Sequence, residues 1–167
     1  MLSVRNKFSC LLVLFGLVLQ SCSFGTLYDE RVQKNLGSIF VSTIPNRDGQ
    51  ILRNQLRYLL EGYKTSEKSR YNLMIDLSIT ESNIGVNRTG VTVRKNKVAL
   101  AKLVLKDKRT QETVYKSRVK SQNSYVVRNT QFYSNPITQE HATKQALELL
   151  AQFIQADLAM YFSKNED

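Results

Sequence analysis

Tyr71-Asn72-Leu73-Met74-Ile75-Asp76-Leu77-Ser78-Ile79-Thr80 is the stretch that decides the fold, because apolar and polar side chains alternate along it. Every odd-numbered position is apolar, and the even-numbered positions between them are polar except for Met74. Successive side chains of a β-strand point to opposite faces, so this alternation predicts a strand with one buried face.

Two more strands are predicted on the carboxyl side of this stretch. Glu81–Asn87 has the composition of a turn, and Gly90–Lys106 is rich in Val and Leu, which predicts one long strand with a bulge near Asn96. Asp107–Glu112 predicts a polar hairpin loop. Thr113–Val127 predicts a further strand, and the polar residues between its apolar ones indicate that one of its faces is wet.

Helical spacing of apolar residues marks two other segments. A short strand is predicted at Ser38–Ile44, and Asp48 then has the position of an N-cap for a first helix. The apolar stripe of this helix consists of Leu52, Leu56, Leu59, Leu60 and Tyr63. A second helix is predicted from near Pro136 to about Phe162. Its stripe consists of Ala142, Ala146, Leu149, Leu150, Phe153, Ile154, Leu158 and Tyr161.

The order of elements is therefore strand, helix, three strands, helix. Strands joined by hairpins are antiparallel, whereas a strand joined through a helix can lie parallel to its neighbour. Two amphipathic helices can cover one face of a four-stranded sheet. We predict an α+β fold, a two-layer sandwich with two helices packed on one face of a four-stranded, mostly antiparallel sheet.

The amino-terminal segment has the features of an export signal. Arg5 and Lys7 precede an apolar run, Phe8–Leu19, that only Ser9 and Gly16 interrupt. A membrane-spanning helix needs about 20 apolar residues, and this run is shorter, so it is typical of the hydrophobic region of a signal peptide.

The run ends in Leu19-Gln20-Ser21-Cys22, the pattern of a lipoprotein cleavage site. An aliphatic residue stands three positions before the cysteine and a small residue stands directly before it. Cleavage also removes Cys10, the other cysteine, so Cys22 has no disulfide partner in the mature chain. We predict that Cys22 carries N-acyl and S-diacylglycerol lipid, which anchors the protein to a membrane.

These features divide the chain into four parts. Residues 1–21 are predicted to be the cleaved signal peptide and residues 22–37 a lipidated tether. Residues 38–162 are predicted to form a single α+β domain, and residues 163–167 a frayed tail. Ser23 stands where an aspartate would retain a lipoprotein at the inner membrane, so the prediction for localisation is the periplasmic face of the outer membrane.

The charge of the chain favours anionic partners. Its formal net charge is +10, and removal of residues 1–21 leaves 22 basic and 14 acidic residues, or +8. Nucleic acid, anionic lipid and lipopolysaccharide all suit such a charge, although it can also serve solubility alone. Export argues against nucleic acid as a partner.

Residues suited to catalysis or metal binding are few. His141, the only histidine, lies beside Glu140 at the start of the last predicted helix, with no nucleophile or second ligand evident near it. The sequence contains no phosphate-binding glycine loop and no nucleophile elbow. We predict a protein that is not an enzyme, with no metal and no cofactor other than the lipid on Cys22.

Basic residues, by contrast, cluster on the predicted strands. Lys116, Arg118 and Lys120 alternate and therefore share one strand face, which must meet water, a partner or an anion. The other clusters flank the long strand and comprise Arg88, Arg94, Lys95 and Lys97 at one end and Lys106, Lys108 and Arg109 at the other.

Over nearly the whole mature chain, the ordered set of motifs resembles the LptE family of lipopolysaccharide-assembly lipoproteins. The segments that carry the resemblance are Phe24 and Leu27-Tyr28 after Cys22, Ile39–Ile44, Asn46–Leu56, Tyr71-Asn72-Leu73, Ile84-Gly85-Val86, Arg94, Leu105-Lys106-Asp107, Ser124–Val127 and the last helix. The sequence departs from the family pattern at Gln20 and in its unusually basic fourth strand.

The resemblance implies an outer-membrane lipoprotein that plugs an LptD-type β-barrel, helps it to assemble and binds lipopolysaccharide. It also implies that Arg94 contacts lipopolysaccharide, with Lys95 and Arg128 as further candidates by proximity. The alternative is a periplasm-facing lipoprotein that binds an anionic polymer or peptidoglycan without a barrel partner.

Overall fold

Four strands form one mixed sheet in the computed structural model, which describes residues 29–62, 69–86, 92–127 and 134–165. The strands are β1 (Ile39–Val41), β2 (Tyr71–Val86), β3 (Thr92–Asp107) and β4 (Thr113–Val126), and they lie side by side in this order. β1 pairs parallel to β2, and the other pairs are antiparallel. The predicted topology of the sheet is confirmed.

Three helices accompany the sheet: α1 (Glu30–Gly37), α2 (Asn46–Glu61) and α3 (Ser134–Lys164). The core lies between the helices and the odd-numbered side chains of the long strands, such as Leu73, Leu103 and Leu105, which are fully buried. The α+β class with helices on one side of an open sheet is therefore confirmed, and one helix is present in addition to the two predicted.

The even-numbered side chains of β2, β3 and β4 point away from the helices, and we call this side of the sheet the open face. None of those whose burial is described is buried. The alternation at Tyr71–Thr80 thus indicated correctly which side of β2 enters the core.

The additional helix, α1, lies within the predicted tether of residues 22–37. Val32 and Leu36 are buried in the common core, so residues 30–37 belong to the packed domain. Two apolar residues one turn apart in an eight-residue segment are too weak a periodic signal to predict a helix.

The segment Glu81–Val86 continues β2 and is not the predicted turn. β3 supplies a backbone partner as far as Val86, so polar residues remain in the strand there. The bulge predicted near Asn96 is also displaced, because Asn96 pairs regularly with Ser82 and Ser124. The register is irregular at Asn83–Val86, where β2 pairs with β3, and between Leu105 and Lys106, where β3 pairs with β4. Gly85, which has no side chain to accommodate, lies within the irregular stretch of β2.

The start of α2 differs from the prediction by three residues. Pro45 precedes the helix, Asn46 is its first residue with φ 67°, and Asp48 lies in the first turn rather than at the N-cap. Asparagine tolerates positive φ better than most residues, which permits this earlier start. The predicted stripe is confirmed for Leu52, Leu56 and Leu60, which are buried, and Tyr63 lies outside the described residues.

Helix α3 packs with a face slightly rotated from the predicted one. Leu149 and Phe153 of the predicted stripe are 38% and 48% exposed, whereas Leu147 and Phe162 are buried. The remaining buried residues of this helix are Ala142, Ala146, Leu150, Ala151, Ile154, Leu158 and Ala159. The helix continues to Lys164, so residues 163 and 164 of the predicted tail are helical.

Candidate functional site

The four predicted site residues have different positions relative to the described structure. Cys22 and Arg128 lie outside the described residues. Arg94 and Lys95 are consecutive in β3, and their side chains therefore project to opposite faces of the sheet. The structure consequently does not bring these two cations together at one ligand.

Arg94 lies on the open face, near the end of the sheet where β3 begins. It is exposed and pairs with Gly85 on one side and Val126 on the other. Its guanidinium forms no ion pair with any of the described residues. Arg94 is therefore available to an external anion.

Lys95 lies on the helix side and contributes to a network centred on Glu81. One carboxylate oxygen of Glu81 lies 2.7 Å from Lys95 Nζ, and the other lies 2.8 Å from Lys97 Nζ. The Tyr125 hydroxyl donates a hydrogen bond of 2.9 Å to the same oxygen as Lys97. The network thus joins β2, β3 and β4 through side chains.

The electrostatics of this network favour an ionised Glu81. Hydrogen bonds from Lys95, Lys97 and Tyr125 lower the pKa of Glu81 to about 2, against the opposing effect of burial. Burial and the hydrogen bond to Glu81 raise the pKa of Tyr125 to about 12. The charge of Lys95 is balanced within the protein, which makes this residue a weaker candidate for anion binding than Arg94.

Sequence reasoning missed Glu81 because the residue falls in the segment predicted to be a turn. The alternation of β2 could have revealed it, because Glu81 is an odd-numbered position and the odd-numbered residues of this strand face the helices. Lys95 and Lys97 show the same two-residue spacing on the neighbouring strand. A carboxylate at that position faces both cations across the sheet.

The open face carries the basic strand residues. Lys116, Arg118 and Lys120 are exposed there, as their alternation predicted. The other cations on this face are Arg94, Lys102 and Lys106, and its only acidic residue in the described strands is Asp76, which lies 3.2 Å from Lys102. The face is therefore strongly basic, most of all along β4.

On the open face, apolar side chains of β3 lie next to the basic side chains of β4. Val98, Leu100 and Val104 of β3 are half-buried in a row interrupted by Lys102. In the sheet register, Leu100 lies beside Lys120, and Val104 lies beside Lys116. The basic row of β4 thus borders an apolar row of β3.

A groove of about 310 Å³ lies on the helix side, between the first turns of α2 and α3. Its lining includes Arg47, Lys97 and Lys144. Each of these cations pairs with a carboxylate, namely those of Glu140, Glu81 and Glu148 respectively. The groove therefore offers little uncompensated charge to a ligand.

The outer surface of α3 carries a second apolar row. Leu149, Phe153 and Met160 are exposed, and their spacing, with the exposed Ala156 between them, places them on one side of the helix. Contiguous exposed apolar side chains favour contact with another macromolecule.

Other chemical features of the described chain are limited. His141 is exposed on α3. Within the described ranges, His, Cys, Asp and Glu form no group of three or more that could hold a metal ion. None of the helices in the same ranges has both the length and the apolar character needed to cross a membrane.

Comparison with known proteins shows the fold of bacterial lipoproteins. No family model and no curated protein sequence matches the chain. A protein of Caulobacter crescentus CB15, provisionally assigned as a lipoprotein, is 26% identical, with a TM-score of 0.62 over 78% of this chain and 95% of its own. The chain shares its fold with that protein.

Two more distant structures show the same fold. A minor lipoprotein of Acinetobacter baumannii has a TM-score of 0.58 and 12% identity, over 73% of this chain and 88% of its own. The rare lipoprotein B of Shewanella oneidensis has a TM-score of 0.55 and 14% identity, over 73% of this chain and 92% of its own.

Proposed function

We propose that this protein is a non-catalytic outer-membrane lipoprotein that fills and helps to assemble an LptD-type β-barrel and binds lipopolysaccharide. One observation carries the proposal: a domain with the fold of bacterial lipoproteins follows a sequence with the pattern of a lipoprotein cleavage site. The resemblance of the chain to the LptE family is the basis for proposing the barrel as partner and lipopolysaccharide as ligand.

The proposed anchor is the lipid on Cys22, which places the domain beside the membrane. The first described residue is Asp29, so only a short segment separates the anchor from α1. Two or three acyl chains bind a bilayer firmly because each buried methylene contributes about 0.8 kcal/mol. The domain therefore needs no spanning element of its own to remain at the membrane.

The two outer surfaces of the domain support a role inside a protein partner. The helix layer presents the apolar row Leu149, Phe153 and Met160, and the sheet presents its basic open face. A domain that lies within a barrel is surrounded by the wall, so contacts on both sides are expected. A lipoprotein attached only by its lipid would not require both surfaces.

Arg94 is the residue we propose as the principal lipopolysaccharide contact in the described chain. Its guanidinium is exposed and can form charge-assisted hydrogen bonds with the phosphates of lipid A. Lys95 is engaged with Glu81 on the other side of the sheet, so its contribution would require that ion pair to open. Arg128 remains a candidate by sequence proximity.

Isolation of the membrane-bound protein tests the anchor and the partner together. Mass spectrometry of the mature protein should show acylated Cys22, and mild detergent should extract a stoichiometric complex with a large outer-membrane barrel. An unmodified Cys22 would contradict the anchor. An isolated monomer that binds peptidoglycan or an anionic polymer would instead support the alternative role, which the basic open face also suits.

Binding of lipopolysaccharide is tested with the substitution Arg94→Ala. Loss of one charge-assisted hydrogen bond is expected to weaken binding by about tenfold at low salt. Arg57→Ala is the matched control, because Arg57 is an exposed arginine on α2 that pairs with Glu61. Equal binding by the wild type and Arg94→Ala at several salt concentrations would exclude Arg94 as the contact.

A further inference from the structure

We propose that the β4 side of the open face docks against an acidic β-sheet surface of the partner, with carboxylates opposite Lys116, Arg118 and Lys120. The inference rests on the proposed function, in which the partner is a barrel whose wall surrounds the domain. It adds the face of this chain that meets the wall and the charge that the wall presents there.

The charge on the open face is unevenly distributed. The only acidic residue among its described strand residues, Asp76, lies on β2 and pairs with Lys102 of β3. Lys116, Arg118 and Lys120 on β4 form no ion pair with the described part of the chain. Three of the cations on this face that form no ion pair with the described residues therefore lie in one row on β4, and the other two, Arg94 and Lys106, lie near the two ends of β3.

The spacing of these three cations matches that of a second β-surface. Alternate residues on a strand are about 7 Å apart, so the three side chains form a straight row about 13 Å long. Side chains that face the lumen of a barrel also recur at every second residue of each strand. Carboxylates at alternate positions of one wall strand can therefore oppose all three cations.

The neighbours of the basic row indicate a protein surface rather than a lipid surface. Val104 and Leu100 lie beside Lys116 and Lys120, which places half-buried aliphatic groups next to the charges. A protein interface has this composition, with an apolar centre and a polar rim. The exposed aromatic side chain on this side of the described sheet, Phe40 of β1, lies at the edge opposite β4 and contacts Lys108, so it does not adjoin the basic row.

Like charges at this spacing repel one another in the isolated protein. An opposing row of carboxylates removes that repulsion and adds attraction. The interaction of exposed charges weakens as salt screens them, so the docking should depend on ionic strength. This dependence distinguishes a contact made by β4 from one made by the apolar row of α3.

The decisive experiment reverses the charge of the row in the full-length, membrane-anchored protein. The test variant is Lys116→Glu, Arg118→Glu, Lys120→Glu, and the control variant is Arg31→Glu, Lys34→Glu, Lys144→Glu, which changes the net charge equally on helix positions outside the buried core. Recovery of the barrel with each tagged protein is measured at low and high salt.

We expect the β4 variant to recover at least about tenfold less barrel than the control at low salt, because the variant loses several opposed charge pairs. A neutral version, Lys116→Gln, Arg118→Gln, Lys120→Gln, should show an intermediate loss, and it serves as the test if charge reversal prevents folding. Equal recovery with the β4 variants and the control would overturn the inference while the proposed function stands. Failure of the wild type to recover any barrel would overturn both.

A photoreactive phenylalanine analogue at position 118 identifies the occupant directly. The inference requires a cross-link to a barrel peptide that carries Asp or Glu at alternate positions. Cross-linking to lipopolysaccharide or phospholipid alone would overturn it, because the face would then bind an anionic lipid. Cross-linking to a barrel peptide without acidic residues would overturn the charge that we assign to the wall.

Discussion

Glu81 links the three long strands beside the end of the helix layer. Its two oxygens receive Lys95, Lys97 and the Tyr125 hydroxyl, and Lys97 has a side chain only 12% exposed. Without this carboxylate, two nearby cations would face each other with no counter-charge. The residue therefore stabilises a part of the sheet whose composition is otherwise polar.

The pH dependence of stability tests the role of Glu81. A pKa lowered from 4.5 to about 2 in the folded state contributes stability above about pH 4.5, and this contribution is lost as the pH falls towards 2. We expect the wild type to lose about 1–2 kcal/mol more than Glu81→Gln over this range, after allowance for solvent screening.

Urea denaturation of both mature proteins at pH 7 and at pH 3 provides the measurement. The pKa of Asp107 is also lowered, chiefly by the backbone N–H of Arg109, but both proteins retain this group. Equal losses of stability in the two proteins would show that folding does not lower the pKa of Glu81.

Gly49 allows α2 to approach the segment that precedes it. A Cβ atom at this position would lie 2.7 Å from Ile44 Cγ2 and 3.0 Å from the Ile44 carbonyl oxygen. Alanine normally favours a helix over glycine by about 1 kcal/mol, but here the overlap should reverse the sign. We expect Gly49→Ala to destabilise the domain by about 1–3 kcal/mol, measured by the urea midpoint.

Gly62→Ala is the matched control for this substitution. Gly62 has φ −59° and ψ −18°, and a Cβ atom there would come no closer than 4.0 Å to the Leu59 carbonyl oxygen, its nearest neighbour. Alanine should therefore be neutral or stabilising by up to about 1 kcal/mol at this position. Similar midpoints for the two variants would mean that the contact with Ile44 relaxes without cost.

At the scale of elements, α3 contributes much of the core through a single face. Leu150 is fully buried, whereas its neighbour Leu149 is 38% exposed. We expect Leu150→Ala to lower the free energy of unfolding by about 2–5 kcal/mol and Leu149→Ala by less than about 1 kcal/mol. Chemical denaturation of the two variants distinguishes the observed face from the broader predicted stripe, for which the losses would be equal.

Periodicity predicted the elements wherever one face is buried along their length. The strand at Tyr71–Thr80 and the stripe of α2 satisfy this condition, and both are confirmed. Glu81–Val86 does not satisfy it, because polar and exposed residues occupy both faces there and only the pairing with β3 defines the strand. Leu149 and Phe153 entered the predicted α3 stripe because apolar residues extend around both sides of that helix.

Side-chain alternation also predicted part of the candidate site. Alternation along β4 predicted that Lys116, Arg118 and Lys120 share an exposed face, which is confirmed. The same rule places Arg94 and Lys95 on opposite faces, but proximity in sequence grouped them together. The pairing of Lys95 with Glu81 depends on the register between two strands, which a single sequence does not determine.

At the scale of the whole molecule, the proposed anchor and the described domain are separable. Because the described core begins at Val32, we expect Cys22→Ala to release the protein from membranes while its unfolding midpoint stays that of the wild type. Fractionation of cells, followed by thermal unfolding of the released protein, provides the measurement. Membrane retention of a variant from which mass spectrometry shows residues 1–21 to be removed would show that the domain itself, or its partner, holds it there.

The long outer strand β4 has a further consequence for the protein before it meets any partner. Among the described strands it pairs with β3 alone, and an unpaired strand edge of this length can recruit a second copy and extend the sheet between molecules. Two such copies would place Lys116, Arg118 and Lys120 of each close to those of the other. Their mutual repulsion would oppose such pairing, so we infer that the residues proposed to attract the partner also disfavour self-association of the solitary protein.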